Sequence, residues 1–158
     1  MRPATRAFLD TSALFAAIWS EEGGGRVLLR LAEVGAITLI VSRQVLTELQ
    51  RAIRRKAPQS LPSLAILLDR IRVEVAPDRG KEALEASRRL VAHAADAAIL
   101  AAALASEADY FITFDRQHFL ENPRLRETVP FGVGTPGDYL AWLRKILIGS
   151  SSSEATDW

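Results

Sequence analysis

Ala7-Phe8-Leu9-Asp10-Thr11-Ser12-Ala13 opens as an apolar run and ends in residues that cap helices. It reads as a short buried strand over Ala7 to Leu9 that passes, through Asp10-Thr11-Ser12, into a helix over Ala13 to Trp19. A strand that exits directly into a helix is the repeating unit of a parallel α/β sheet. The unit recurs downstream. Ile37-Thr38-Leu39-Ile40-Val41 is a β-branched strand, Ser42 caps the next helix, and Val45, Leu46, Leu49 and Ile53 form that helix's apolar stripe. Tyr110-Phe111-Ile112-Thr113-Phe114 is a third strand, the plainest in the chain.

The intervening stretches complete the alternation. Glu21-Glu22-Gly23-Gly24-Gly25 reads as a turn, after which Val27, Leu28, Leu31 and Val34 predict an amphipathic helix stopped by Gly35. Pro58 and Pro62 bracket a turn before a helix marked by Leu64, Leu67, Leu68 and Ile71. Val73-Glu74-Val75 alternates as a short strand, and Glu82 to Val91 is amphipathic. Asp96 opens a helix over Ala97 to Ala105 that is apolar nearly all round and therefore buried. Val129 to Thr135 holds a last edge strand. Pro136 to Ile148 is a closing helix with Tyr139, Leu140, Leu143 and Leu147 facing inward. The expected fold is α/β, a three-layer α/β/α sandwich with a central parallel sheet of four to five strands. One domain is expected over residues 1–148, with a serine-rich, disordered tail over 149–158.

Composition limits the chemistry. The 158 residues are 49% hydrophobic and 25% charged, the balance of an ordinary globular domain. Cysteine is absent, so disulfides, thiolate metal sites and thiol nucleophiles are excluded. With His93 and His118 the only histidines, any metal is expected to be bound by oxygen, and hence to be a hard ion such as Mg²⁺ or Mn²⁺. The apolar stretch after Met1-Arg2-Pro3 is interrupted by Asp10, so it does not read as a signal peptide, and no run is long enough for a membrane span. A cytoplasmic location is expected. Gly23-Gly24-Gly25 lacks the Lys-Ser/Thr of a phosphate loop and the spacing of a dinucleotide fingerprint. A phosphatase with a second Asp two residues after the first would need an acid at Ser12.

Four acids stand out by position. Asp10 and Asp115 close apolar strands, while Glu48 and Asp96 lie early in helices that a strand or turn precedes. Singly each has a plain structural reading: helix cap, surface charge, helix-dipole partner, turn residue. Together they fall on one edge of the expected sheet, where strand ends and helix starts converge on a crevice. Carboxylates gathered there repel unless a cation lies between them. Such an ion acidifies water and neutralises charge developing on a phosphate. Ser12 and Thr113 are placed to support the acids by hydrogen bonding, and His118 is close enough in sequence to Asp115 to touch the site. Arg43, Arg51, Arg54 and Arg55 with Lys56 outnumber Glu48 on one helix, which suits a phosphate-handling surface or, residue by residue, a solvated helix end with cations favoured by the dipole.

Phe8-Leu9-Asp10-Thr11-Ser12-Ala13-Leu14, Val45-Leu46-Thr47-Glu48-Leu49, Asp96-Ala97-Ala98-Ile99-Leu100-Ala101-Ala102-Ala103 and Ala108-Asp109-Tyr110-Phe111-Ile112-Thr113-Phe114-Asp115, in that order, resemble the PIN domain. The closing Thr135-Pro136-Gly137-Asp138-Tyr139-Leu140 is similar to the end of its toxin-like branch. The resemblance implies a Mg²⁺- or Mn²⁺-dependent ribonuclease whose metal-binding acids are Asp10, Glu48, Asp96 and Asp115, with Ser12 and Thr113 in support. It implies water attack in line on phosphorus, leaving a 5′-phosphate and a 3′-hydroxyl. It also implies a homodimer and a small antitoxin partner, as in VapC-like toxins. Many relatives carry an acid three residues after the position of Asp115, where this chain has His118. The competing reading is a non-catalytic RNA-binding or regulatory module that keeps the fold.

Overall fold

The computed structural model describes residues 4–20, 22–77 and 80–155. Five strands, β1 (Thr5–Leu9), β2 (Ile37–Val41), β3 (Glu74–Val75), β4 (Tyr110–Ile112) and β5 (Gly132–Gly134), form one sheet in the order β3-β2-β1-β4-β5. Every pairing is parallel. Parallel strands need crossovers, and helices supply them. α1 (Thr11–Trp19) and α2 (Gly24–Glu33) link β1 to β2, and α3 (Arg43–Lys56) and α4 (Leu61–Arg70) link β2 to β3. α5 (Lys81–Leu90) and α6 (Ala94–Ala105) carry the chain from β3 to β4, and α8 (Pro136–Ala155) closes it. The expected α/β sandwich is present, with five strands.

Burial explains why the strands read so clearly. Phe8, Leu9, Leu39, Ile40, Phe111 and Ile112 are fully enclosed, as strands covered on both faces require. Phe8 and Phe111 stack across the β1–β4 pair, and Phe119 and Phe131 extend the aromatic layer. Edge strand β3 is short and exposed. No helix among the described residues is long and apolar enough to cross a membrane.

Several expectations are corrected. Gly24 and Gly25 belong to α2 rather than to a turn, with only Gly23 at the cap. A Cβ on Gly25 would lie 2.8 Å from Ala17 Cα, so glycine lets α2 press against α1. That contact turns α2 so that Leu28, Leu29 and Ala32 are buried, while Val27 and Val34 of the expected stripe are exposed. Thr113 and Phe114 lie beyond the end of β4, and Leu147 on α8 is exposed. The last helix runs to Ala155: no proline follows Ile148, and Gly149 and the serines after it, though weaker helix formers than alanine, do not end it. The tail expected over 149–158 therefore overlaps this helix, and 156–158 fall outside the described residues. Between β4 and β5 lie a π-helical turn, Arg116–Leu120, and the short α7, Pro123–Thr128.

Candidate metal centre

The strand order fixes where a ligand can sit. From β1 the chain moves to β2 and β3 on one side, then returns to β4 on the other. The carboxyl ends of β1 and β4 therefore flank the switch point of the sheet, where an open α/β fold leaves a crevice. Leu9 is in register with Ile112, so the next residues, Asp10 and Thr113, stand side by side at its mouth.

Asp10 is the N-cap of α1 and is 4% exposed. Its Oδ1 accepts the Ala13 N–H (2.9 Å) and the Ser12 hydroxyl (2.7 Å), and its Oδ2 accepts the hydroxyl of the fully buried Thr113. Both hydroxyls also reach the β4 exit. Ser12 Oγ accepts the Phe114 N–H at 3.1 Å, and Thr113 Oγ1 accepts the Asp115 N–H at 2.9 Å. Ser12 and Thr113 thus tie the two strand exits together and hold two acids in fixed relation. Burial, opposed by these hydrogen bonds and reinforced by the charge of Asp115, pushes the Asp10 carboxyl up to about 6.

The helices bring the remaining acids. Ser42 caps α3, accepting the Val45 N–H, and α3 presents Glu48 to the crevice from the flank of its buried Val45–Leu49–Ile53 stripe. Glu48 is gripped at both oxygens, by the Thr11 hydroxyl and by Gln44 Nε2 (2.9 Å). Asp96 lies in the first turn of α6, whose all-round apolar surface anchors it in the core. Burial raises the Asp96 carboxyl above its ordinary value; His118 and His93 pull it down, and Asp115 and Glu48 push it up. Asp115 caps the π-helical turn through the His118 N–H, 3.0 Å.

That turn folds His118 back on the acids. Its Nδ1 is 2.9 Å from Asp115 Oδ2 and 3.4 Å from Asp96 Oδ2, and the hydrogen bond to Asp115 raises the imidazole above its usual value. His93 Nδ1 is 3.3 Å from Asp96 Oδ2 on the other side. Asp96, Asp115 and His118 each offer a ligand atom, all within 4.8 Å of one another, and no other such set of three occurs among the described residues. Two carboxylates and one imidazole suit a hard or borderline dication. Asp10 and Glu48 line the same cleft outside this compact triad.

The cleft measures about 390 Å³ and is lined by Asp10, Glu48, Asp96 and Asp115, with Phe15 and the cations Arg55 and Lys56 at its wall. All four sequence-predicted acids are therefore gathered, with Ser12 and Thr113 bonded to Asp10. Arg51 and Arg54 share an adjacent hollow with Arg55. Arg43 begins α3, roughly 18 Å along the axis from Arg55, and lines a different hollow with Gln44 and Thr47. Sequence reasoning missed the clamps on Glu48. Gln44 could have been found from its i, i+4 spacing to Glu48; Thr11 carries no signal without the tertiary fold.

No curated protein matches the chain. Its structure is similar to a chain in the crystal structure of VapBC2 from Rickettsia felis bound to a DNA fragment from their promoter. The likeness has a TM-score of 0.59 and 20% identity, and covers 82% of this chain and 98% of that one. It concerns the fold. The family model described as the PIN domain matches residues 7–125, which include all four acids and the loops that position them. The chain belongs to the PIN domain family.

Proposed function

We propose that this PIN domain is a Mg²⁺- or Mn²⁺-dependent endoribonuclease, and the toxin of a pair with a small antitoxin. One observation carries the reading: Asp10, Glu48, Asp96 and Asp115, remote in sequence, line a single cleft at the switch point of the sheet. A pure binding surface for RNA has no use for concentrated negative charge beside phosphates. Asp96, Asp115 and His118 would hold one cation directly, with Asp10 and Glu48 completing the acidic wall on which further coordination depends. When bound, the ion supplies positive charge to a phosphodiester and acidifies water for attack on phosphorus.

The chain's own residues do the positioning. Ser12 and Thr113 fix the oxygens of Asp10, and Thr11 and Gln44 fix those of Glu48, so neither acid must be reorganised when RNA arrives. His118 Nδ1, bridging Asp96 and Asp115, offsets their repulsion while no cation is held there. Arg55 and Lys56 hold phosphates at the rim, with Arg51 and Arg54 beside them. The pairing named in the VapBC2 structure supports an antitoxin partner, and the family supports a homodimer acting in the cytoplasm.

The test is cleavage of a labelled RNA with Mg²⁺ or Mn²⁺, with and without EDTA, comparing wild type with Asp10→Asn and Asp96→Asn. Metal-dependent cutting that both substitutions abolish is expected. RNA binding without cutting under any metal would leave the non-catalytic module in its place.

A further inference from the structure

The cleft has an aromatic wall that metal chemistry does not use. Phe15 and Trp19 lie one helical turn apart on α1, the helix capped by Asp10, and Phe15 lines the cleft itself. Their rings are nearly parallel, 9° apart with centroids 5.6 Å apart. Lys56 Nζ lies 5.0 Å over the Phe15 ring, so a cation from the end of α3 is held against the pair. Trp19 is 50% exposed, although tryptophan is usually well covered. Core packing does not account for it.

We infer that Trp19 is a stacking platform for an unpaired base of a single-stranded RNA whose phosphates run past Lys56 and Arg55 into the acidic cleft. The inference rests on the ribonuclease reading and adds to it a residue that positions the strand. Three features converge. An exposed indole offers a π-face that any base can stack on, and only an unstacked base is free to do so. Phe15, which lines the cleft with the acids, stacks on that indole. Lys56 and Arg55 put positive charge beside an otherwise acidic crevice, where a phosphate chain needs it. A base held on Trp19 fixes how far the strand enters the cleft, and so which phosphodiester meets the acids.

The experiment measures binding in EDTA by anisotropy, using a labelled single-stranded RNA oligonucleotide and the same strand annealed to its complement, across a salt series. The proteins are wild type, Trp19→Leu, Trp19→Phe and Lys56→Ala, each checked for an unchanged melting profile. Wild type is expected to prefer the single strand. Trp19→Leu loses on the order of tenfold in affinity with an unchanged salt slope, because stacking releases no counterions. Trp19→Phe retains most of the affinity, and Lys56→Ala lowers the slope. Equal binding by wild type and Trp19→Leu, or equal binding of duplex and single strand, overturns the proposal. Cleavage with Mg²⁺ or Mn²⁺ keeps the two readings apart. If no metal supports cutting while Trp19→Leu still loses affinity, the nuclease reading falls and the platform stands. If wild type cuts and Trp19→Leu binds and cuts alike, the platform alone falls and the rings are left to a protein partner.

Discussion

Asp10 sits where a charge is hard to keep, and that gives the metal-free protein a pH dependence of definite sign. Its carboxyl is raised from 3.8 to about 6, chiefly by burial. In that window the folded chain binds more protons than the unfolded one, so stability falls as pH rises from about 4 to about 6 and stays lowered above it. The full effect is roughly 3 kcal/mol. Asp10→Asn keeps a cap acceptor and removes the charge. In EDTA it should be more stable than wild type at pH 7.5 by up to about 3 kcal/mol, less whatever the Thr113 contact loses. The gain should vanish below about pH 4, where wild-type Asp10 is neutral in both states. Urea unfolding at the two pH values measures it, and a variant less stable at pH 7.5 contradicts it. His118 permits a second test at this scale. Imidazole suits Mn²⁺ better than Mg²⁺, so wild type should bind Mn²⁺ more tightly, and His118→Asp should narrow that gap. Calorimetric titration with each ion, read as the ratio of their dissociation constants, decides it.

At the scale of elements, α1 and the β4 exit carry the site, and their seating depends on backbone contacts as much as on the acids. Gly25→Ala would push a methyl against Ala17 Cα on α1, a backbone contact that cannot rotate away. Overpacking of this kind costs about 1–3 kcal/mol, more than the ≤ 1 kcal/mol that alanine gains in helix propensity. A lowered melting temperature with a larger proportional loss of RNA cleavage is expected, since α1 begins at the Asp10 cap. Unchanged melting would show that α2 can yield. The same contact shows where sequence reading stops. Strands β1, β2 and β4 were legible because burial on both faces demands unbroken apolar runs. The acids were legible because strand ends and helix starts converge in any parallel sheet. The phase of α2 was not, because the Gly25–Ala17 approach rotates the helix away from its apparent stripe. Nor could spacing show that a π-helical turn brings His118 Nδ1 back onto Asp115, since its i, i+3 position alone does not set ring direction.

For the whole molecule, charge placement matters more than net charge, which is only +1. RNA must approach an acidic cleft, so attraction has to come from cations at its rim. Arg51, Arg54 and Arg55 cluster at the end of α3, beside the cleft wall formed by Arg55 and Lys56. Part of their placement answers to the negative end of the helix dipole, which would hold them there without RNA. Counterion release separates the two roles. If each neutralises one phosphate of a single strand, replacing all three with alanine should reduce the slope of log K against log salt by about 2, at roughly 0.7 per contact. Arg43, at the opposite end of α3 and lining another hollow, should change that slope much less when replaced alone. Both variants should melt close to wild type, because exposed cations at helix ends contribute only a few tenths of a kcal/mol to about 1 kcal/mol each. Binding of a single-stranded RNA in EDTA across a salt series tests the assignment. An unchanged slope in the triple variant would return these arginines to the helix dipole and leave Lys56 as the cation that draws RNA toward the acids.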